Sequence, residues 1–118
     1  MKLIDTKTHG YLDYIVGIFL MVAPLILHLG RKSPEALVFY ILGVTLIIYS
    51  ALTNYELGFF KLIPMKMHLF LDVLSGIFLA VSPWLLGFSD RVCLPHLILG
   101  IFEITAGLIT TSKTKLID

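Results

Sequence analysis

Two histidines and two aspartates recur at one spacing, His9-x-x-x-Asp13 and His68-x-x-x-Asp72, each near the start of an apolar run. Residues four apart share a helix face, so the imidazole and carboxylate of each run can hold one ion or exchange one proton. Two such helices side by side would offer four ligands of the kind that suits Zn, Mn or Fe. A proton or anion relay would use the same groups. A plainer chemistry is also open to them, because an aspartate in the first turns of a helix is favoured by the helix dipole and a nearby histidine can be its hydrogen-bond partner. Ionisable residues within apolar spans tend to be functional, yet copying a structural pair would leave the same pattern.

A fifth ionisable group, Glu103, faces Leu46 at the matching position and has no copy. It lies between Gly100 and Gly107 near the middle of an apolar run, where a carboxyl remains uncharged unless paired. Thr45, Tyr49 and Ser50 are its expected partners, making Glu103 either a hydrogen-bonding link between helices or a proton-binding group.

The elements that position these residues follow from an internal duplication. From Lys2 to Leu27 and from Lys61 to Leu86, at a constant offset of 59, fourteen of 26 positions are identical. The likeness continues in Ile41-Leu42-Gly43-Val44 and Ile98-Leu99-Gly100-Ile101, now at offset 57. A repeat of this length predicts a repeated structural unit, here a helical hairpin. The single domain 1–118 then divides into repeat 1 over 2–54, an interfacial linker over 55–60 and repeat 2 over 61–113. Because a hairpin returns to its starting side, the two copies should be related by a pseudo-twofold axis along the membrane normal. Gly17 and Gly76 share the His-Asp face and are expected to let helices one and three approach. Pro24 and Pro83 each remove a donor and should kink the outer halves of those helices.

With 58% hydrophobic residues, 14% charged residues and a mean hydropathy of +0.94, 118 residues have too little polar surface for a water-soluble domain. Four apolar stretches, Tyr11–Leu29, Ala36–Leu52, Met67–Phe88 and Leu94–Thr111, each approach the roughly 17 to 25 residues that span a bilayer. The predicted fold is all-α, a four-helix transmembrane bundle of two tandem hairpins. The first stretch contains Asp13 and lacks an A-x-A site, so it is expected to stay in the mature chain. Lys2, Lys7, Lys61, Lys66, Lys113 and Lys115 fall on one side, against Arg31, Lys32 and Arg91 on the other, which predicts cytoplasmic termini in a cell membrane. Trp84, Tyr11, Tyr14, Tyr40 and Tyr55 are expected as interfacial anchors, Tyr14 being nearest Asp13. His28 and His96 are expected to be solvated near the outer boundary.

Ser82-Pro83-Trp84 in the second copy, with Ala23-Pro24-Leu25 in the first, resembles the SPW-repeat family, named for that tripeptide in the first helix of a two-helix unit. The resemblance implies a small integral membrane protein and carries no activity or cofactor with it.

The single Cys93 excludes an internal disulfide and the paired-thiol chemistry of the vitamin K reductase type. No P-loop, G-x-S-x-G, H-E-x-x-H or dinucleotide fingerprint is present. A net charge of +1 gives no reason to expect nucleic acid. An enzyme is not the expected class; a lipid headgroup is the one substrate the pairs would meet. The expected function is a structural or accessory membrane component, the alternative a cytoplasm-facing site for a ligand, metal or proton between helices one and three. Partners are the bilayer and a homo-oligomer or larger membrane complex, since four short spans enclose little volume. Structural pairs would each bond within their own helix with no void between them, whereas a site would converge on a void or an ion.

Overall fold

The computed structural model describes residues 2–113; Lys115, counted above among the sidedness lysines, lies outside them. Four helices follow in order, α1 Thr6–Ile26, α2 Pro34–Leu52, α3 Met65–Leu85 and α4 Leu94–Ile109. Their starts are set locally. Asp5 accepts a hydrogen bond from the Thr8 amide and Ser33 from the Ala36 amide, while Pro34 takes the first-turn position where a missing donor costs nothing. α1, α2 and α3 are long and apolar enough to cross a membrane. α4 has 16 residues, about 24 Å at 1.5 Å per residue, short of the ~30 Å hydrocarbon core. It was expected to reach Thr111, but Thr110 turns extended and bridges Ile4 instead.

That bridge has a twin. Thr53, extended after α2, bridges Ile63 just before α3, as Thr110 after α4 bridges Ile4 just before α1. Each lead-in segment is therefore tied to the end of the other copy's second helix. Leu3 N–H donates to Ile109 O at 2.7 Å, and Asn54 N–H donates to Ile63 O at 2.7 Å. These bonds satisfy backbone groups where the helices run out.

Small residues draw each hairpin together. A side chain on Gly43 would lie 2.8 Å from Gly17 O, and one on Gly100 would lie 2.6 Å from Gly76 O. The glycines thus bring α1 to α2 and α3 to α4, rather than α1 to α3, because the backbone contact lies inside the hairpin. Pro24 and Pro83 fall in the last turns of α1 and α3, within their outer halves. Leu20 and Leu79, at matching positions, are buried in the centre with Phe39 and Phe88.

The polarity is inverted relative to a soluble domain. Ile15, Ile18, Ile41, Phe70, Ile98 and Ile101 face outward, while His9, Asp13, His68, Asp72 and Glu103 are buried. With no water to bond exposed backbone, helices with lipophilic exteriors are the form such a chain takes in a bilayer. Trp84 and Tyr11 lie on this exposed outer face.

Candidate functional site

His9, Asp13, His68 and Asp72 meet between α1 and α3, and one ligand atom from each lies within 4.8 Å of all the others. Each histidine contacts both aspartates. His9 Nε2 is 3.0 Å from Asp13 Oδ1 and 2.7 Å from Asp72 Oδ2; His68 Nε2 is 2.9 Å from Asp13 Oδ2 and 3.2 Å from Asp72 Oδ2. All four are almost fully buried. The pairs are therefore crossed between helices rather than confined to their own.

The histidines are clamped from behind. His9 Nδ1 lies 2.8 Å from Thr110 Oγ1, and His68 Nδ1 lies 2.7 Å from Thr53 Oγ1. Each threonine hydroxyl sits 2.6 Å from the carbonyl one turn back, Ala106 O or Tyr49 O. A hydroxyl has one proton and a carbonyl only accepts, so the hydroxyl donates to the carbonyl and accepts from Nδ1–H. Assigned from this network, the tautomer leaves both Nε2 atoms aimed at the carboxylates. His9 Nε2 makes a hydrogen bond to Asp72. His68 Nε2 is fully buried and, despite its two near carboxylate oxygens, is aligned for a hydrogen bond with neither.

Two tyrosines complete the shell. Tyr55 OH donates to Asp13 Oδ2 at 2.7 Å and Tyr49 OH donates to Asp72 Oδ1. Both come from repeat 1 and its linker, so this layer is not duplicated. Tyr55 was expected at the interface; it is fully buried because its hydroxyl reaches the aspartate. Tyr14 OH donates to Leu57 O, not to Asp13.

Glu103 borders the cluster across a void of about 10 Å³ lined also by His9, Asp13 and Asp72. That volume is close to one water. Its partner is Ser75, at 3.1 Å on α3, rather than Thr45, Tyr49 or Ser50, because α4 packs along α3.

At the opposite end of the bundle, Arg91 holds Glu35 through Nε at 2.9 Å and a second guanidinium nitrogen at 3.0 Å. The Glu35 carboxylate raises the Arg91 pKa above its ordinary value. His96, expected to be solvated, is fully buried: its ring stacks on Phe39 at 4.0 Å, and Nε2 donates to Glu35 O at 3.0 Å. His28 is exposed.

Thr53 and Thr110 were missed by sequence reasoning, although the offset of 57 that relates Gly43 to Gly100 also relates Thr53 to Thr110. No curated protein and no solved structure matches the chain. A family model described as SPW repeat domain matches residues 7–110, a stretch that starts before His9 and ends on Thr110. That match covers both hairpins, including Ser82-Pro83-Trp84 in the second, and this small membrane protein belongs to the SPW repeat domain family.

Proposed function

We propose that the protein binds a divalent transition metal at His9, Asp13, His68 and Asp72, with its termini in the cytoplasm and its two copies related by a pseudo-twofold axis along the membrane normal. The observation that carries this is the convergence of one ligand atom from each of these four buried side chains within 4.8 Å of one another, with His68 Nε2 close to two carboxylates yet aligned to neither. With Nδ1–H given to Thr53, that nitrogen holds either a lone pair facing two carboxylates or a proton with no aligned acceptor. Neither arrangement suits a buried polar atom. A dication among the four residues would satisfy both imidazole lone pairs and both carboxylates, and two neutral imidazoles with two carboxylates balance its charge. Nitrogen and oxygen donors of this kind fit Zn, Mn or Fe. Thr53 and Thr110 would orient the rings, and Tyr49 and Tyr55 would bond the outer carboxylate oxygens, as supporting groups around metal ligands do. Glu103, next to the void, is proposed to bind a proton or solvent molecule there.

The test is metal analysis by mass spectrometry of detergent-purified protein, wild type beside His9→Ala/His68→Ala. Near one metal per chain, lost in the variant, is the expected result. Wild type free of metal after growth with Zn, Mn and Fe, and unable to take up any of them, would refute it.

One observation favours a second reading. The void holds about one water, leaving no room for an organic substrate, and two imidazoliums with two carboxylates also sum to zero charge. A metal-free cluster of that form would be polar glue in a structural or accessory component of a larger membrane assembly. It predicts no metal and a double variant that is clearly less stable.

A further inference from the structure

The two copies differ in what covers the outer side of their first helix. In repeat 1 the linker folds back onto it. Leu57 packs on Gly10 so closely that a side chain there would lie 2.7 Å from Leu57 Cδ1, and Tyr14 OH donates to Leu57 O. Lys61 is spent on the same linker, donating to Tyr55 O at 2.8 Å and to Gly58 O at 3.3 Å. Ala51 O accepts from the Phe59 and Phe60 amides.

The positions around this linker have matches in and before repeat 2. Gly10 corresponds to Leu69, Tyr14 to Val73, Lys7 to Lys66, Lys61 to Lys2, Ala51 to Leu108 and Tyr55 to Ser112. There the matched residues line an open groove of about 420 Å³ between α3 and α4. Leu108 O, which matches Ala51 O, accepts from the Lys2 ammonium at 3.3 Å. Among the described residues the lining is two lysines, one serine, one glycine and otherwise apolar side chains, with no carboxylate.

We propose that this groove is a binding site for an anionic phospholipid, whose phosphate lies between Lys2 and Lys66 and whose acyl chain runs along Phe70, Val73 and Leu108. The charge is complementary, since two ammonium groups and a serine hydroxyl meet a phosphate. The layering also fits. Lys2 and Lys66 lie at the end of the bundle where helices start and finish, and Phe70 and Val73 follow Lys66 one and two turns deeper into the apolar span. The lipid takes the place that Leu57 and the linker carbonyls hold in repeat 1. This site is independent of the metal cluster.

Native mass spectrometry of the purified full chain tests it, with phosphatidylglycerol and phosphatidylcholine of identical acyl chains as probes. Each basic residue near an anionic headgroup favours binding severalfold, so wild type should prefer phosphatidylglycerol by on the order of tenfold. Lys2→Ala/Lys66→Ala should abolish that preference. Lys7→Ala/Lys61→Ala removes the same charge from the filled face and should keep it. Three results would overturn the proposal. The first is no headgroup preference in wild type, and the second an equal loss in both double variants, which would signify bulk charge only. The third is a rise in phosphatidylglycerol binding on deletion of residues 114–118, which would make the C-terminal segment the occupant. All these substituted lysines are exposed, so the variants should fold, and a thermal unfolding curve close to that of wild type checks that they do.

Discussion

The two ends of the bundle were built from the same duplicated sequence, and they have kept different things. At the end carrying the lead-in segments, both copies contribute matching histidines, aspartates and threonines, His9 with Thr110, His68 with Thr53, and Asp13 and Asp72 each near both imidazoles, while the tyrosine layer is not duplicated. At the turn end the matching positions have diverged. His96 stacks on its own counterpart, Phe39, and the Glu35 to Arg91 ion pair has no twin. Aromatic stacking at the turn end needs two flat rings of similar size, which a Phe and a His supply equally well. Balancing charge inside an apolar bundle needs both halves at once, because one missing partner leaves a buried ion exposed to low dielectric. The duplicated end is thus held by a closed, shared set of charges, and the diverged end by aromatic packing with one unduplicated ion pair.

Substitutions should separate the two regimes. The largest effect is expected from Asp72→Ala, which takes an acceptor from His9 and Tyr49 and a charged neighbour from His68. Breaking a buried charge cluster by removing one member costs about 3–5 kcal/mol, and thermal unfolding in detergent should show a loss of that order. Gly100→Ala tests hairpin packing without touching the cluster. Its new carbon would lie 2.5 Å from Ala80 N and 2.6 Å from Gly76 O, both backbone, so about 1–3 kcal/mol of overpacking strain is expected by the same assay.

Thr53→Val and Thr110→Val each strip the acceptor from a buried Nδ1–H, at a cost of about 1–3 kcal/mol. If the copies are equivalent at this end, the two losses should agree closely, and metal affinity measured by competition with a chelator should fall about 10- to 100-fold in each. Unequal losses would break the comparison there. The smallest effect belongs to His96→Phe, which makes the stacked pair alike and forfeits one hydrogen bond to Glu35 O, about 1 kcal/mol. A much larger loss would show that His96 does more than stack and bond a carbonyl.

Much of this arrangement was legible in the chain itself. The offset of 59 located His9, Asp13, His68 and Asp72 and predicted that they would lie at one end, because duplicated hairpins carry equivalent residues together. The hydropathy located the four apolar helices, although it carried the last one past its end at Ile109. Three features were not legible. Gly17 and Gly76 share a face with the His-Asp pairs by spacing alone, but which neighbour they admit depends on the path of the turn, and the turn brings back α2 and α4. Tyr55 has the composition of an interfacial residue, and only the fold-back of the linker takes its hydroxyl to Asp13. Thr53 and Thr110 look like ordinary helix ends until both bridges place them behind the imidazoles. Their match at offset 57 was a readable signal, strengthened by Ile47 and Ile104, which pack on Gly17 and Gly76 respectively.

A visible-absorption titration of the metal-stripped protein with Co(II), in wild type and in His9→Ala/His68→Ala, tests the central claim most directly, because ligand field bands report donor number and geometry. Strong four-coordinate bands are expected in wild type that saturate at one equivalent per chain, vanish in the double variant and are displaced by Zn(II). A wild-type spectrum indistinguishable from hydrated Co(II), with the variant the same, would contradict it and leave the four residues as a metal-free ionic core.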